Sequence, residues 1–216
     1  MDEDIAIINT NSRNEKIKNF FLNNKKNLIT LVSIILLILI GYFLFKEVQK
    51  QKKINTANQY NSVILEFESL KKNKRSIAYE LTLIVDKKDE SYSPLALYFL
   101  IDNNFEIDRG EINRMFDVLI NKTSLEKEIK NLLIYKKALF NSDVSSENDL
   151  ILTLGPLINS DSIWKSHALY LVAEFFYSKG EKKKSKEFFE KILILDNSNP
   201  DIKLETQKRL SRDISE

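Results

Sequence analysis

The chain has 216 residues, a formal net charge of +2, 43% hydrophobic and 30% charged residues. That length holds one domain of ordinary size beside any membrane segment, and the apolar content predicts folding rather than disorder. The near-neutral balance carries no polyanion-binding signature, so nucleic acid is not an expected partner. There is no cysteine, which excludes disulfides, cysteine nucleophiles and thiolate metal sites, and with four glycines and three prolines an all-β fold is disfavoured.

Residues 1–12 are polar and read as a disordered part of a tail covering 1–27. From Arg13 to Leu22, Ile17, Phe20 and Phe21 share a helical face with basic neighbours. Two readings stand for this stretch: a short helix lying on a membrane surface, or simply a basic flank, the latter favoured.

Leu28–Phe45, LITLVSIILLILIGYFLF, contains no charge and no proline. As a helix it reaches roughly 27 Å, near the thickness of a bilayer's hydrocarbon core. Lys25 and Lys26 bracket one end and Lys46 the other, with Tyr42, Phe43 and Phe45 where aromatic side chains favour the membrane interface. A core helix this apolar needs a larger protein around it. A signal peptide has a shorter apolar region and a small-x-small cleavage site, whereas this run exits into FKEVQKQKK. The segment 28–45 is therefore expected to be a single transmembrane helix in contact with the lipid bilayer.

Residues 46–75 read as an amphipathic connecting helix that packs on the following domain. Ile54, Ala57, Tyr60, Ile64, Phe67 and Leu70 are spaced by three and four, giving one apolar stripe to about Leu70. Residues 76–216 then read as a series of short helices. Ile77, Leu81, Ile84 and Val85 mark one. Ser93 and Pro94 look like an N-cap and first helical residue of another, running to about Phe105. Ile112, Met115, Phe116, Leu119 and Ile120 form a stripe after a break at Gly110. Thr123 and Glu126 have capping-box spacing ahead of Leu125, Ile129, Leu132, Leu133 and Leu139. A helix from near Asn148 carries Leu150, Ile151, Leu154, Leu157 and Ile158, with Pro156 expected to kink it near its end. No long period-two alternation occurs, so the fold class is all-α.

Ser166–Asn199 spans the 34 residues of one helix–turn–helix unit and resembles a tetratricopeptide repeat. Leu169 stands at the usual tryptophan position, Val172 and Ala173 at the Leu-Gly pair, Phe176 at the tyrosine. Gly180 sits in the turn, Ser185 at the small crossing position, Phe189 at the aromatic and Ile192 at the next aliphatic one. The preceding helices are more degenerate. Together they predict a tetratricopeptide-repeat-like α-solenoid of about four hairpins from Ile54 to Leu195, closed by a capping helix over Asp201–Arg212.

A tail, one anchor and a degenerate repeat array of this length are similar to the YfgM family of bacterial inner-membrane proteins. The most specific segments are the anchor with its amphipathic continuation, SYSPLALYFL, and GPLINSDSIWKSHALYLVAEFFYSKG. The resemblance implies an ancillary subunit of the SecYEG protein-export translocon, with a cytoplasmic N-terminus and a periplasmic C-terminal domain that meets periplasmic chaperones or exported clients. Flanking charges support that orientation weakly: Arg13, Lys16, Lys18, Lys25 and Lys26 stand on one side, Lys46, Lys50, Lys52 and Lys53 on the other. Another implied reading is a scaffold for a different envelope complex, in cell division or outer-membrane assembly.

Catalytic residues, cofactors, metals and small-molecule substrates are not expected. His167 is the single histidine and has no cysteine partner, and no phosphate-cradling glycine spacing occurs. The KKKSK run at Lys182–Lys186 reads as a solvated helix face. One recognition site follows from the repeat resemblance. The positions that line the concave groove of peptide-binding repeats are His167, Tyr170, Glu174 and Tyr177. Tyrosine rings and an acid suit protein recognition. The alternative is that the array fills this face with its own helices, and both readings stand.

Overall fold

A computed structural model describes residues 15–69 and 72–213. All regular secondary structure among the described residues is helical, with no strand. Helix α1 covers residues 15–23, and α2 runs unbroken from Lys25 to Glu68 over 44 residues. Eight helices follow: α3 (Lys74–Asp86), α4 (Tyr92–Asp102), α5 (Arg109–Lys122), α6 (Lys127–Asn141), α7 (Glu147–Ile158), α8 (Lys165–Ser178), α9 (Lys182–Leu193) and α10 (Pro200–Asp213). The tail expected over 1–12 lies outside the described residues. The chain divides into two compact units, Met1–Asn55 and Thr56–Glu216.

In the first unit, α2 carries the one described stretch long and apolar enough to cross a membrane, near the N-terminus, and none of that stretch is buried within the protein. In the second unit the same helix changes character. Thr56 and Val63 are buried, and Tyr60, Ile64 and Phe67 pack on the domain core. The buried face is therefore centred on Thr56, Tyr60, Val63 and Phe67, rotated slightly from the predicted stripe, and Ile54 is exposed. Leu70, the last residue of that stripe, is outside the described residues. Tyr60 meets Tyr92 at 5.7 Å, and Phe67 meets Phe99 edge-on at 5.2 Å and Phe105 at 5.5 Å. The helix ends at Glu68 and α3 begins at Lys74, so the end of the predicted 46–75 segment belongs to the next helix.

The domain core is built from the predicted stripes: Ile77, Leu81, Ile84 and Val85 of α3, Ile112, Met115, Phe116 and Leu119 of α5, and Leu150, Leu154 and Leu157 of α7. Pro156 falls in the last turn of α7.

The helix boundaries hold three corrections. Ser93 is not an N-cap; it lies inside α4 and is fully buried. Its hydroxyl donates to the Ile84 carbonyl at 2.6 Å and accepts from the Asp89 amide at 2.9 Å. A helix end of this kind, with Lys88 at φ 57°, normally joins those two backbone groups directly. Here the serine hydroxyl bridges them. The true cap of α4 is Asp89, whose carboxylate accepts from the Ser91 and Tyr92 amides at 2.9 and 2.8 Å.

Gly110 is not a break either. It sits in the first turn of α5, and a Cβ there would come within 2.7 Å of Asp108 Oδ2. That carboxylate caps the helix by accepting from the Glu111 amide, so glycine leaves room for it. Thr123 and Glu126 form no capping box, because the Thr123 hydroxyl turns back to the Val118 carbonyl and Glu126 makes no side-chain cap.

The 166–199 segment folds as a helix–turn–helix hairpin, α8 and α9. Leu169, Val172, Ala173, Phe176, Ser185, Phe189 and Ile192 are all buried. Gly180 adopts φ 77°, and the Gly180 and Glu181 amides donate to the Tyr177 and Phe176 carbonyls. Both bonds close the last turn of α8 in the manner that favours glycine.

Several polar ties between helices connect residues about one hairpin apart, while others, such as Arg114–Asp86 and Lys137–Asp117, span 28 and 20 residues. Arg109 pairs with Asp143 and Ser162 with Glu128, each 34 residues apart in sequence. The Asn199 amide donates to Ser166, 33 apart, and Arg209 pairs with Glu174, 35 apart.

Two buried serines behave oppositely. Ser93→Ala leaves an amide and a carbonyl without their shared partner and should destabilise the domain by about 1–3 kcal/mol. The Ser185 hydroxyl is buried with no hydrogen-bond partner, so Ser185→Ala should range from neutral to a gain of about 1 kcal/mol. Urea unfolding followed by helical circular dichroism measures both.

Candidate partner-binding face

The four residues singled out in α8, His167, Tyr170, Glu174 and Tyr177, recur at three, four and three residues, so their spacing puts them on one face of the helix. Their contacts divide them: Tyr170, Glu174 and Tyr177 meet α9 and α10, and His167 meets other rings. Each is half-buried. Tyr170 meets Phe189 edge-on at 5.4 Å, which fixes its ring against α9. Burial pushes the Tyr170 phenol above its ordinary value of 10.0, and the adjacent Glu174 carboxylate adds to that rise.

The face is covered by the chain itself. Arg209 of α10 approaches Glu174 with both prongs of its guanidinium: Nε donates to Oε1 at 2.7 Å and Nη2 to Oε2 at 2.6 Å. The same guanidinium lies 4.9 Å from the centre of the Tyr177 ring. A fork-on-fork ion pair is thus backed by an aromatic face, a combination that suits arginine better than lysine. Helix α10 thus lays the Arg209 side chain on Glu174 and Tyr177 of this face.

Arg209 was not among the predicted site residues. Its one signal is its position, 35 residues after Glu174 and so about one repeat further along. Nothing in local spacing identifies a cation that will return to an acid from the preceding hairpin.

His167 belongs to a different cluster. Its ring lies 5.1 Å from Trp164 and 5.7 Å from Tyr135, and those two rings stack at 6.0 Å. The cluster is braced by Ser162, whose hydroxyl accepts from the Trp164 amide and Asn131 Nδ2 and donates to Glu128. The His167 Nδ1 atom is buried without a hydrogen-bond partner, and burial pushes the imidazole below its ordinary 6.5. Aromatic packing, not ligation, is what this geometry provides. Among the described residues no three His, Cys, Asp or Glu side chains are grouped to hold a metal ion.

Comparison with known proteins adds no assignment: no family model, no curated protein and no solved structure matches the chain.

The histidine makes stability depend on pH. Its folded value lies below its unfolded one, so the unfolded chain binds the proton more readily. The His167 contribution is complete above pH 6.5 and is lost as pH falls from there through the depressed folded value. Acidification from neutral pH to about 5.5 should lower the unfolding midpoint of the wild-type chain more than that of His167→Phe. Equal losses in the two proteins would contradict this cause.

Proposed function

We propose that this chain is a membrane-tethered protein-binding module: a tetratricopeptide-like stack of helical hairpins held at a bilayer by residues 28–45. The observation that carries the reading is the double character of α2. One unbroken helix presents an unburied apolar run and then, from Thr56, places side chains in the core of a folded domain. An apolar run of that length in water is unfavourable, and lipid removes the cost.

The stack is supported by the ties one hairpin apart and by the buried repeat positions of 166–199. Stacked hairpins bury a continuous core that no single hairpin could bury alone. The Tyr170, Glu174 and Tyr177 face supplies aromatic area and one directed acid, chemistry suited to recognition without a cofactor. Tethering confines such a face near the membrane and raises its effective concentration towards membrane-bound partners.

On the resemblance of the anchor and array to the YfgM family, the partner we propose is the SecYEG export channel, with periplasmic chaperones or exported chains as further contacts. The N-terminus is then cytoplasmic and the helical domain periplasmic. A photoreactive residue at the exposed Ser178, followed by crosslinking in native membranes and mass spectrometry, tests this. Channel subunits or exported chains should be recovered. Adducts should fall by about tenfold or more in a folded Tyr170→Ala, Tyr177→Ala double variant. Recovery of division or outer-membrane assembly proteins without the channel would replace the export reading with an envelope scaffold.

A further inference from the structure

Helix α10 is held by little apolar surface. Thr206 alone among its described side chains is fully buried. Ile202 and Leu210 are partly buried against the Leu169, Ala173, Phe189 and Ile192 cluster. Asp201, Leu204, Glu205, Gln207 and Lys208 face solvent. By contrast α9, the helix before it, buries Ser185, Phe189 and Ile192 completely. What distinguishes the seat of α10 is the directed contact of Arg209, forked onto Glu174 and stacked over Tyr177. Both charged side chains remain about a quarter exposed, at 26% and 27%, so the pair is open to competition from solvent.

We propose that Tyr170, Glu174 and Tyr177 form a receptor site for an arginine carried on a helical segment of a partner protein, and that α10 occupies it as an internal surrogate. The inference rests on the reading of this domain as a protein-binding module and adds the chemistry of the ligand.

Glu174 supplies a single carboxylate whose two oxygens are both engaged by one planar guanidinium. A lysine would satisfy one of them and lose the stacking area on Tyr177. The segment is a helix because the residues of α10 that meet the domain recur on one face: Ile202, Thr206, Arg209 and Leu210, at intervals of four, seven and eight. The motif read from the surrogate is therefore an aliphatic residue, a small residue four positions on, and an arginine followed by an aliphatic residue three positions beyond that. An external segment must displace a helix tethered through Asn199, whose amide donates to Ser166 and whose carboxamide oxygen caps Asp201 and Ile202. That tether keeps the surrogate at high effective concentration and makes the site selective for ligands that match it well.

The test uses the full chain in lipid nanodiscs and a labelled peptide with the sequence of residues 199–213. Arg209→Ala in the chain frees the site, and this folded variant should bind the peptide about tenfold more tightly than wild type. Replacing arginine by lysine in the peptide, or adding Glu174→Gln to the chain, should each remove about tenfold of that affinity. A second arm needs no variant: saturating peptide should accelerate backbone hydrogen exchange of α10 in the wild-type chain while α8 stays protected. The proposal is overturned if the folded Arg209→Ala chain binds no better than wild type, or if binding ignores the arginine and Glu174. It is also overturned if α10 stays protected at saturating peptide, and that arm decides alone should Arg209→Ala not fold. Exchange of α10 between copies, read as concentration-dependent dimers, would reassign the site to self-association and likewise overturn it. Membrane crosslinks recovered despite a negative peptide result would leave the tethered module standing and remove only the surrogate.

Discussion

The apolar surface of α2 has no place inside the folded domain. Leu37 and Phe43 are 69% and 67% exposed, and their neighbours along the same run are similar. Burying one such side chain is worth about 1.5–3 kcal/mol, so a row of them left in water would outweigh the whole stability of a typical domain. Lysines at both ends of the run and no charge within it are the pattern of a helix able to span a bilayer. From Thr56 onward the same helix meets the opposite requirement and contributes Val63 to a water-excluding core. One helix thus carries two opposite requirements, an apolar run that the domain does not bury and a face that it does.

Within the domain, energy and register have different sources. Packing supplies the energy, through Phe116, Phe176 and Phe189 with the aliphatic residues around them. The ion pairs contribute less. Arg109–Asp143 and Lys184–Glu147 are substantially exposed, and such pairs are worth at most about 1 kcal/mol each. Their value is geometric. Arg109 also donates to the Phe140 carbonyl and lies over the Phe140 ring, so one side chain fixes how α5 meets the end of α6. The reciprocal amide pair of Asn113 and Asn141 repeats that constraint one turn along α5.

The helices were legible because apolar spacing of three and four residues is a local property, and Ile112 to Leu119 or Leu150 to Leu157 display it without ambiguity. Their ends were less legible. A cap depends on which hydroxyl or carboxylate reaches an open amide, and that depends on where the preceding helix stops. Ser93 has the composition of an N-cap, yet the left-handed turn at Lys88 draws it into the end of α3, leaving Asp89 to cap α4. Thr123 is itself the residue that ends α5, and its hydroxyl turns back to the Val118 carbonyl of that helix. The candidate face was half legible. Helical spacing brings Tyr170, Glu174 and Tyr177 together, whereas the guanidinium that completes the arrangement arrives from another helix. His167 shares that spacing, but its ring packs with Trp164 and with Tyr135, which comes from another helix.

The division of α2 between lipid and protein is the claim on which everything else rests, and the absence of cysteine allows a clean test of it. Single cysteines in place of Lys16, Leu37 and Lys50 can be probed in intact cells and in inverted vesicles with a membrane-impermeant maleimide. The account predicts that Leu37→Cys stays unlabelled until detergent is added, while Lys16→Cys and Lys50→Cys label from opposite faces of the membrane. Labelling of Leu37→Cys in intact membranes, or of both flanks from the same side, would contradict it.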